Sequence, residues 1–203
     1  MLDTPKRDRQ GERREATRRE ILDAAWLVAR EQGLAQLTLR DVAAQVGMRA
    51  PSLYSHFESK NAIYDAMFGQ AWTDCEQVMA EAGRQASTQP RSALKQIARA
   101  FFEFAVADLA RHQLMNQRVI AGFEPSAAAY APAVRTLDLL HTFMKRIGVT
   151  HQADIDLYTA LVGGLIDAQQ ANDPGGTRWS QLLDRAIDMF ADSVGLTNTT
   201  RRQ

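Results

Sequence analysis

The chain has one cysteine, Cys75, in 203 residues. No disulfide can form within it, and a reducing compartment fits. Long apolar runs are also missing. No stretch approaches the roughly 20 residues that a spanning helix needs, and the charged N-terminal residues carry no apolar core of a secretion signal. Neither export nor membrane insertion is expected, and the expected location is the cytoplasm. Alternating β-branched runs are absent, which leaves no strand of useful length. The four histidines are preceded three residues earlier by Leu53, Leu109, Asp138 and Gly148, so the paired Glu-x-x-His units of a di-iron bundle cannot be assembled. Metal-ligand Cys/His spacing, a phosphate loop and a nucleophile elbow are missing as well. The expectation is therefore no catalytic residue, no metal and no cofactor. An excess of either charge is missing too: 24 basic side chains balance 24 acidic ones. That argues against a nonspecific nucleic-acid binder, which usually shows a strong basic excess.

What is present is helix throughout. Nearly half the residues are apolar, 45%, enough for a sizeable core. The Thr17/Glu20 spacing reads as a capping box that opens a first helix, with Ile21, Ala25, Val28 and Ala29 at helical intervals and Gly33 as its end. Ser59 is placed to cap a long helix through Ile63, Met67, Ala71 and Val78 toward Gly83. After a polar break at 85–90, a fifth helix carries Leu94, Ile97, Phe101, Phe104 and Leu109, and a shorter one spans about Leu114 to Ala121. A break at 122–126 precedes a seventh helix ending at Ile147–Gly148, and two more follow. The fold class expected is all-α with about nine helices: a small N-terminal domain at residues 10–58, a larger helical domain at 59–195, and flexible tails at 1–9 and 196–203.

The most informative stretch runs from Thr38 to Lys60. Thr38 followed by Asp41 is a helix-start signature, Val42, Ala43 and Val46 give one apolar side, and Gly47 sits where a left-handed residue ends a helix. A second short helix is expected near Ala50–Pro51, because proline in a first turn loses no needed donor. Leu53 and Phe57, four apart, anchor it, leaving Arg49, Ser52, Tyr54, Ser55 and His56 on the opposite side. These residue types suit a duplex groove. Ala50 and Ser52 allow close approach, Tyr54 and His56 can bond phosphates, Arg49 can pair with guanine, and Lys60 can meet a phosphate beside the next helix's N–H groups. The layout is that of a helix-turn-helix. Arg13, Arg14, Arg18 and Arg19 form a basic cluster ahead of it, either a DNA-backbone contact or a solvated arm.

Residues from about Thr17 to Phe68 resemble the DNA-binding domain of the tetracycline-repressor (TetR) family of bacterial regulators. The resemblance is carried by Arg19-Glu-Ile-Leu-Asp-Ala-Ala25, Gly33, Leu37-Thr-Leu-Arg-Asp-Val-Ala43, Gly47, Ser52-Leu-Tyr54, His56-Phe57 and Lys60. It implies that the second and third helices read DNA and that a long fourth helix links them to a ligand-binding bundle. It also implies that Thr38, Arg40, Arg49, Ala50, Pro51, Ser52, Tyr54, His56 and Lys60 lie at or near double-stranded operator DNA.

The last two helices are expected to pair with a second copy. Ile155, Tyr158, Val162, Leu165 and Ile166 fall on one side of the first of them and Leu157 and Leu161 on another, an apolar surface wider than one core needs. Gly163 and Gly164 would admit another backbone; each costs about 1 kcal/mol against alanine inside a helix, so the pair asks for a packing reason. The expected homodimer interface is Tyr158, Leu161, Gly164, Leu165, Trp179, Leu183, Ile187 and Phe190, in line with the family, whose last two helices pair across a twofold axis. A pocket for an unidentified small-molecule effector is expected in the larger domain, lined by Phe101, Phe104, Met115, Phe123 and Met144 with Gln117, His141 and Tyr158 as polar orienters. The function these readings imply is a transcriptional regulator, most directly a repressor released from a palindromic operator by its ligand. An all-helical enzyme or a protein-binding adaptor is the alternative.

Overall fold

A computed structural model describes residues 8–197. Among the described residues there are nine α-helices, two 3₁₀ turns and no strand. The helices are α1 (Arg9–Gln32), α2 (Leu39–Gln45), α3 (Ala50–Leu53), α4 (Lys60–Gln85), α5 (Pro90–Val106), α6 (Leu109–Asn116), α7 (Ala127–Arg146), α8 (Gln152–Asn172) and α9 (Leu183–Ser193).

Most caps follow the sequence. Thr38 Oγ accepts from the Asp41 N–H at 3.2 Å and Ser59 Oγ from the Ala62 N–H at 3.1 Å, while Gly33 and Gly47 take the left-handed φ of +89° and +70° that end α1 and the α2 turn. Several boundaries differ. Helix α1 starts at Arg9, not at Thr17, because Asp8 accepts from the Gly11 N–H at 2.9 Å and the Arg, Glu and Gln run that follows favours helix. Thr17 lies inside the helix and donates back to the Arg13 carbonyl. The expected continuation of α5 through Leu109 is cut at Val106, since Asp108 accepts from the Arg111 N–H at 3.0 Å and opens α6 at Leu109 rather than Leu114. The last helix begins at Leu183, after a 3₁₀ turn at Ser180–Leu182. Arg9 and Leu196, which is buried in the second core, are thus not parts of loose tails. The rest of the two expected tails, apart from Asp8 and Thr197, lies outside the described residues.

Two hydrophobic cores organise the molecule. The first joins α1, α2 and α3 to the N-terminal half of α4, and also takes in Phe104, Leu114, Met115 and Ala129 from α5, α6 and α7, so it crosses the boundary expected at residue 58. The second packs α5, α7, α8 and α9 around Leu94, Met144, Ile166, Leu183 and Ile187. Helix α4 belongs to both. Ile63, Tyr64, Met67, Phe68, Ala71 and Cys75 are buried in the first core, and Met79 and Ala82 pack against the second.

Helix α7 lies along α4, and the pair is fastened at three levels. Asp65 accepts from the Ser126 N–H and hydroxyl at 2.6 and 2.8 Å. Gly69 sits where a Cβ would come within 3.3 Å of the Ala129 Cα. Glu76 takes two hydrogen bonds from the Arg135 guanidinium at 2.8 and 2.7 Å. On the far side, Arg91, Lys95 and Arg99 of α5 face Asp192, Asp188 and Asp184 of α9 at 2.5, 2.7 and 2.6 Å. Partly exposed pairs of this kind are worth about 0–1 kcal/mol each and chiefly fix register. The Lys95 hydrogen bond holds the Asp188 carboxyl below the usual carboxylate range.

Two outcomes follow from this packing. Gly69→Val should lower stability by about 2 kcal/mol, because the added methyls force α4 and α7 apart; an unchanged thermal midpoint would show that the spacing there is not fixed. Burial pushes the Cys75 thiol up to about 12, so its reactive thiolate is scarce. Iodoacetamide at pH 8 should leave Cys75 unmodified in the folded protein and label it in urea, as read by mass spectrometry.

Candidate nucleic-acid interface and ligand cavity

Only four residues make up α3, so its orientation comes from packing and not from helix propensity. Leu53 is fully buried and Phe57 is 2% exposed, and each contributes about 2 kcal/mol by leaving water. With those side chains inside, Arg49, Pro51, Ser52, Tyr54 and Ser55 are exposed, Tyr54 to 54%, and Ala50 is half-buried at the first turn. Thr38 and Arg40 are exposed at the start of α2. Seven of the nine expected DNA residues are therefore at the surface, six of them exposed and Ala50 half-buried.

The other two are partly drawn in. His56 is half-buried, with Nδ1 inside and unpartnered, which leaves Nε2 as the ring atom open to an outside partner. Lys60 donates to the Ala35 carbonyl at 3.3 Å and lies 5.3 Å from the centre of the Tyr64 ring, so it is tethered rather than free.

The basic cluster is not an arm. Arg13, Arg14, Arg18 and Arg19 are turns of α1. Arg14 donates to the Ser55 carbonyl at 3.3 Å, Arg18 donates to the His56 carbonyl, and the Arg18 guanidinium stacks 4.1 Å from the centre of the Phe57 ring. Two cations thus satisfy orphan carbonyls just past α3, where the helix dipole favours positive charge. The sequence carried a signal for this in the four-residue spacing of Arg14 and Arg18, on one face of α1.

The expected effector pocket is divided. Phe101 and Tyr158 line a cavity of about 150 Å³ whose wall also includes Trp72 and Met79 of α4, Ile97 of α5, Asn116 of α6, Ala133, Thr136, Leu137 and Leu140 of α7, and Thr159 and Val162 of α8. Met115, Gln117 and Phe123 instead line a separate recess of about 240 Å³ with Phe68 and Tyr130, whose rings stack at 6.0 Å. Phe104, His141 and Met144 line neither. Phe104 is packed in the first core under the Arg111 guanidinium, 3.7 Å from its ring centre, Met144 is fully buried in the second, and His141 is half-buried on α7 with Nε2 enclosed and unpartnered. Sequence reading found only Phe101 and Tyr158 of this lining; among the residues it missed, Trp72 and Met79 lie seven apart on α4, and their shared helix face was the available signal.

The expected interface with a second copy needs a similar correction. Tyr158, Leu183, Ile187 and Phe190 are buried in this chain's own second core, where Tyr158 packs on Phe190 at 5.6 Å. A core needs one face from α8 and one from α9, and these residues supply it. Leu161, Leu165 and Trp179 are half-buried and Gly164 is exposed. Leu157 and Met189 stand out at 62% and 64% exposure.

Residues 21–67 match the family model described as bacterial regulatory proteins, tetR family. The HTH-type transcriptional repressor BepR of Brucella suis biovar 1 (strain 1330) is 35% identical over 106 residues, half of this chain and half of that protein. The tetracycline repressor protein class A from transposon 1721 of Escherichia coli is 27% identical over 189 residues, 85% of this chain and 80% of that one. Among solved structures, the transcriptional regulator FadR from Bacillus subtilis, in complex with stearoyl-CoA, superimposes with a TM-score of 0.69 over 90% of this chain and 99% of its own, at 15% identity. That last likeness shows a shared fold alone.

Arg18→Ala should cost about 1–2 kcal/mol through loss of the ring contact and the carbonyl donor. A urea midpoint indistinguishable from the parent chain would show that α1 does not brace the end of α3.

Proposed function

We propose, for a chain that belongs to the tetR family of bacterial regulatory proteins, the function of a transcriptional repressor that binds a palindromic operator as a homodimer and is released by a small molecule. The observation that carries this reading is the polar edge of α3, exposed because Leu53 and Phe57 are not. Arg49 stands at the N-terminal end of that edge, where a guanidinium reaches base edges and can pair with guanine O6 and N7. Arg40 and Tyr54 are suited to phosphate contacts that fix register, while Thr38, whose hydroxyl donates to the Asp41 carboxylate at 2.5 Å, offers its place at the start of α2. Ala50, Pro51 and Ser52 let the helix approach closely, and His56 and Lys60 complete the contact surface with shorter reach.

A twofold arrangement would bring two such edges about 34–36 Å apart, or a multiple of that, to match an operator's half-sites. The exposed Leu157 and Gly164 on α8 and Met189 on α9, flanked by Leu161 and Leu165, which are half-buried against the second core, support pairing through these two helices. Residues 10–58 would then read DNA and residues 59–195 would bind ligand and hold the dimer. Release follows from α4, which carries the reading head at Lys60 and lends Trp72 and Met79 to the cavity wall. A ligand that prefers a tilted α4 lowers operator affinity by its differential affinity for the two states; a tenfold change needs about 1.4 kcal/mol.

Fluorescence anisotropy with the DNA flanking the chain's own gene tests the reading. Saturable binding at moderate salt with preference for a palindrome is expected. Tyr54→Ala should weaken binding to every sequence, and Arg49→Ala should change base preference. Binding that shows no sequence preference, or none at all, would refute the proposal and favour an adaptor or an enzyme.

A further inference from the structure

The cavity between α4, α5, α7 and α8 has its own chemistry. None of its lining residues carries a charge, so an ionised ligand buried there would lose its hydration without a compensating partner. Its polar groups are mostly spent. The Thr136 hydroxyl donates to the Pro132 carbonyl at 2.9 Å, the Thr159 hydroxyl to the Ile155 carbonyl at 2.9 Å, and the Asn116 amide nitrogen faces His112.

Two groups remain. Tyr158 is 4% exposed and lines the cavity, and among the described residues its hydroxyl has no hydrogen-bond partner. The indole N–H of Trp72, another lining residue, is buried with no acceptor. Burial raises the Tyr158 phenol far above its ordinary range, so it remains a neutral donor at any physiological pH. A buried donor left unpaired, such as the Trp72 indole N–H, is costly. A cavity of about 150 Å³ is of the size that holds one benzene-like ring.

We propose that this cavity binds a small, uncharged, largely apolar molecule, one ring or its aliphatic equivalent in size, that presents a hydrogen-bond acceptor such as a carbonyl oxygen to the Tyr158 hydroxyl and the Trp72 indole N–H. This assignment rests on the effector-responsive reading above and specifies its ligand class. It also separates this cavity from the adjoining groove of about 440 Å³ that shares Met79, Ile97 and Leu140 with it and is lined by Arg84 and Arg146 as well. An anion would be recognised in that groove and not inside.

Acetophenone, cumene and benzoate, equal in heavy-atom count, distinguish these terms by calorimetric titration of the DNA-free chain. Acetophenone should bind the parent chain and lose about fivefold in affinity with Tyr158→Phe, the worth of one hydrogen bond; cumene, which has no acceptor, should be unaffected or bind more tightly. Benzoate should bind at least tenfold more weakly than acetophenone. Thermal melting checks that Tyr158→Phe folds, and Trp72→Phe, which also removes a donor, provides a second reading of the same loss. Ala133→Leu should weaken acetophenone and cumene alike by filling the space.

Equal acetophenone affinity in the parent and Tyr158→Phe chains would overturn the assignment, as would benzoate binding as tightly as acetophenone or no binding by any probe up to its solubility. Because no DNA is present, these outcomes are independent of the operator titration. A chain that binds its operator but no probe loses only the ligand class, and one that binds acetophenone but no DNA loses only the regulatory reading.

Discussion

The burial of Leu53 and Phe57 is the constraint on which the rest depends. A four-residue helix cannot hold itself, and nothing in its own hydrogen bonding says which way it faces. Two side chains taken out of water in the first core decide that, and their burial turns Arg49, Ser52 and Tyr54 to solvent together. Arg14 and Arg18 add to the same arrangement from α1 by satisfying the carbonyls of Ser55 and His56. Residues that look available for DNA in the sequence are thereby divided into those that touch the outside and those that support them.

The second constraint is the continuity of α4. One helix of 26 residues runs from the reading head to the bundle without a break, and it is buried in the first core, fastened to α7 by Asp65, Gly69 and Glu76, and exposed to the cavity at Trp72 and Met79. A change in the cavity wall therefore acts on the same rigid element that carries the head. The ion pair of Arg30 with Asp108, at 2.7 Å, ties α1 to the start of α6 and gives a second connection between the two regions.

Local chemistry was legible from the sequence and the choice between competing faces was not. Thr38, Gly47, Ser59 and Gly33 act within a turn of themselves, so their roles could be read without the fold. The start of α1 was missed because a charged helical run with no apolar stripe gives no periodicity to follow, and the α5–α6 break because Leu109 continues the apolar spacing across it. At the candidate sites the difficulty was of another kind. Helices α8 and α9 each offer more apolar surface than one core uses, and only packing shows that Tyr158, Leu183, Ile187 and Phe190 go inward while Leu157 and Met189 stay out. Lys60 likewise reads as a free cation until the Ala35 carbonyl is brought beside it. Distances across the fold of this sort leave no mark in the local pattern.

The account is tested most directly by hydrogen–deuterium exchange of the chain with and without its operator DNA, read by mass spectrometry. It predicts added protection in the segment from Thr38 to Phe57, with the outer faces of α8 and α9 unchanged. Protection confined to the bundle, with that segment exchanging as it does in the free chain, would contradict it.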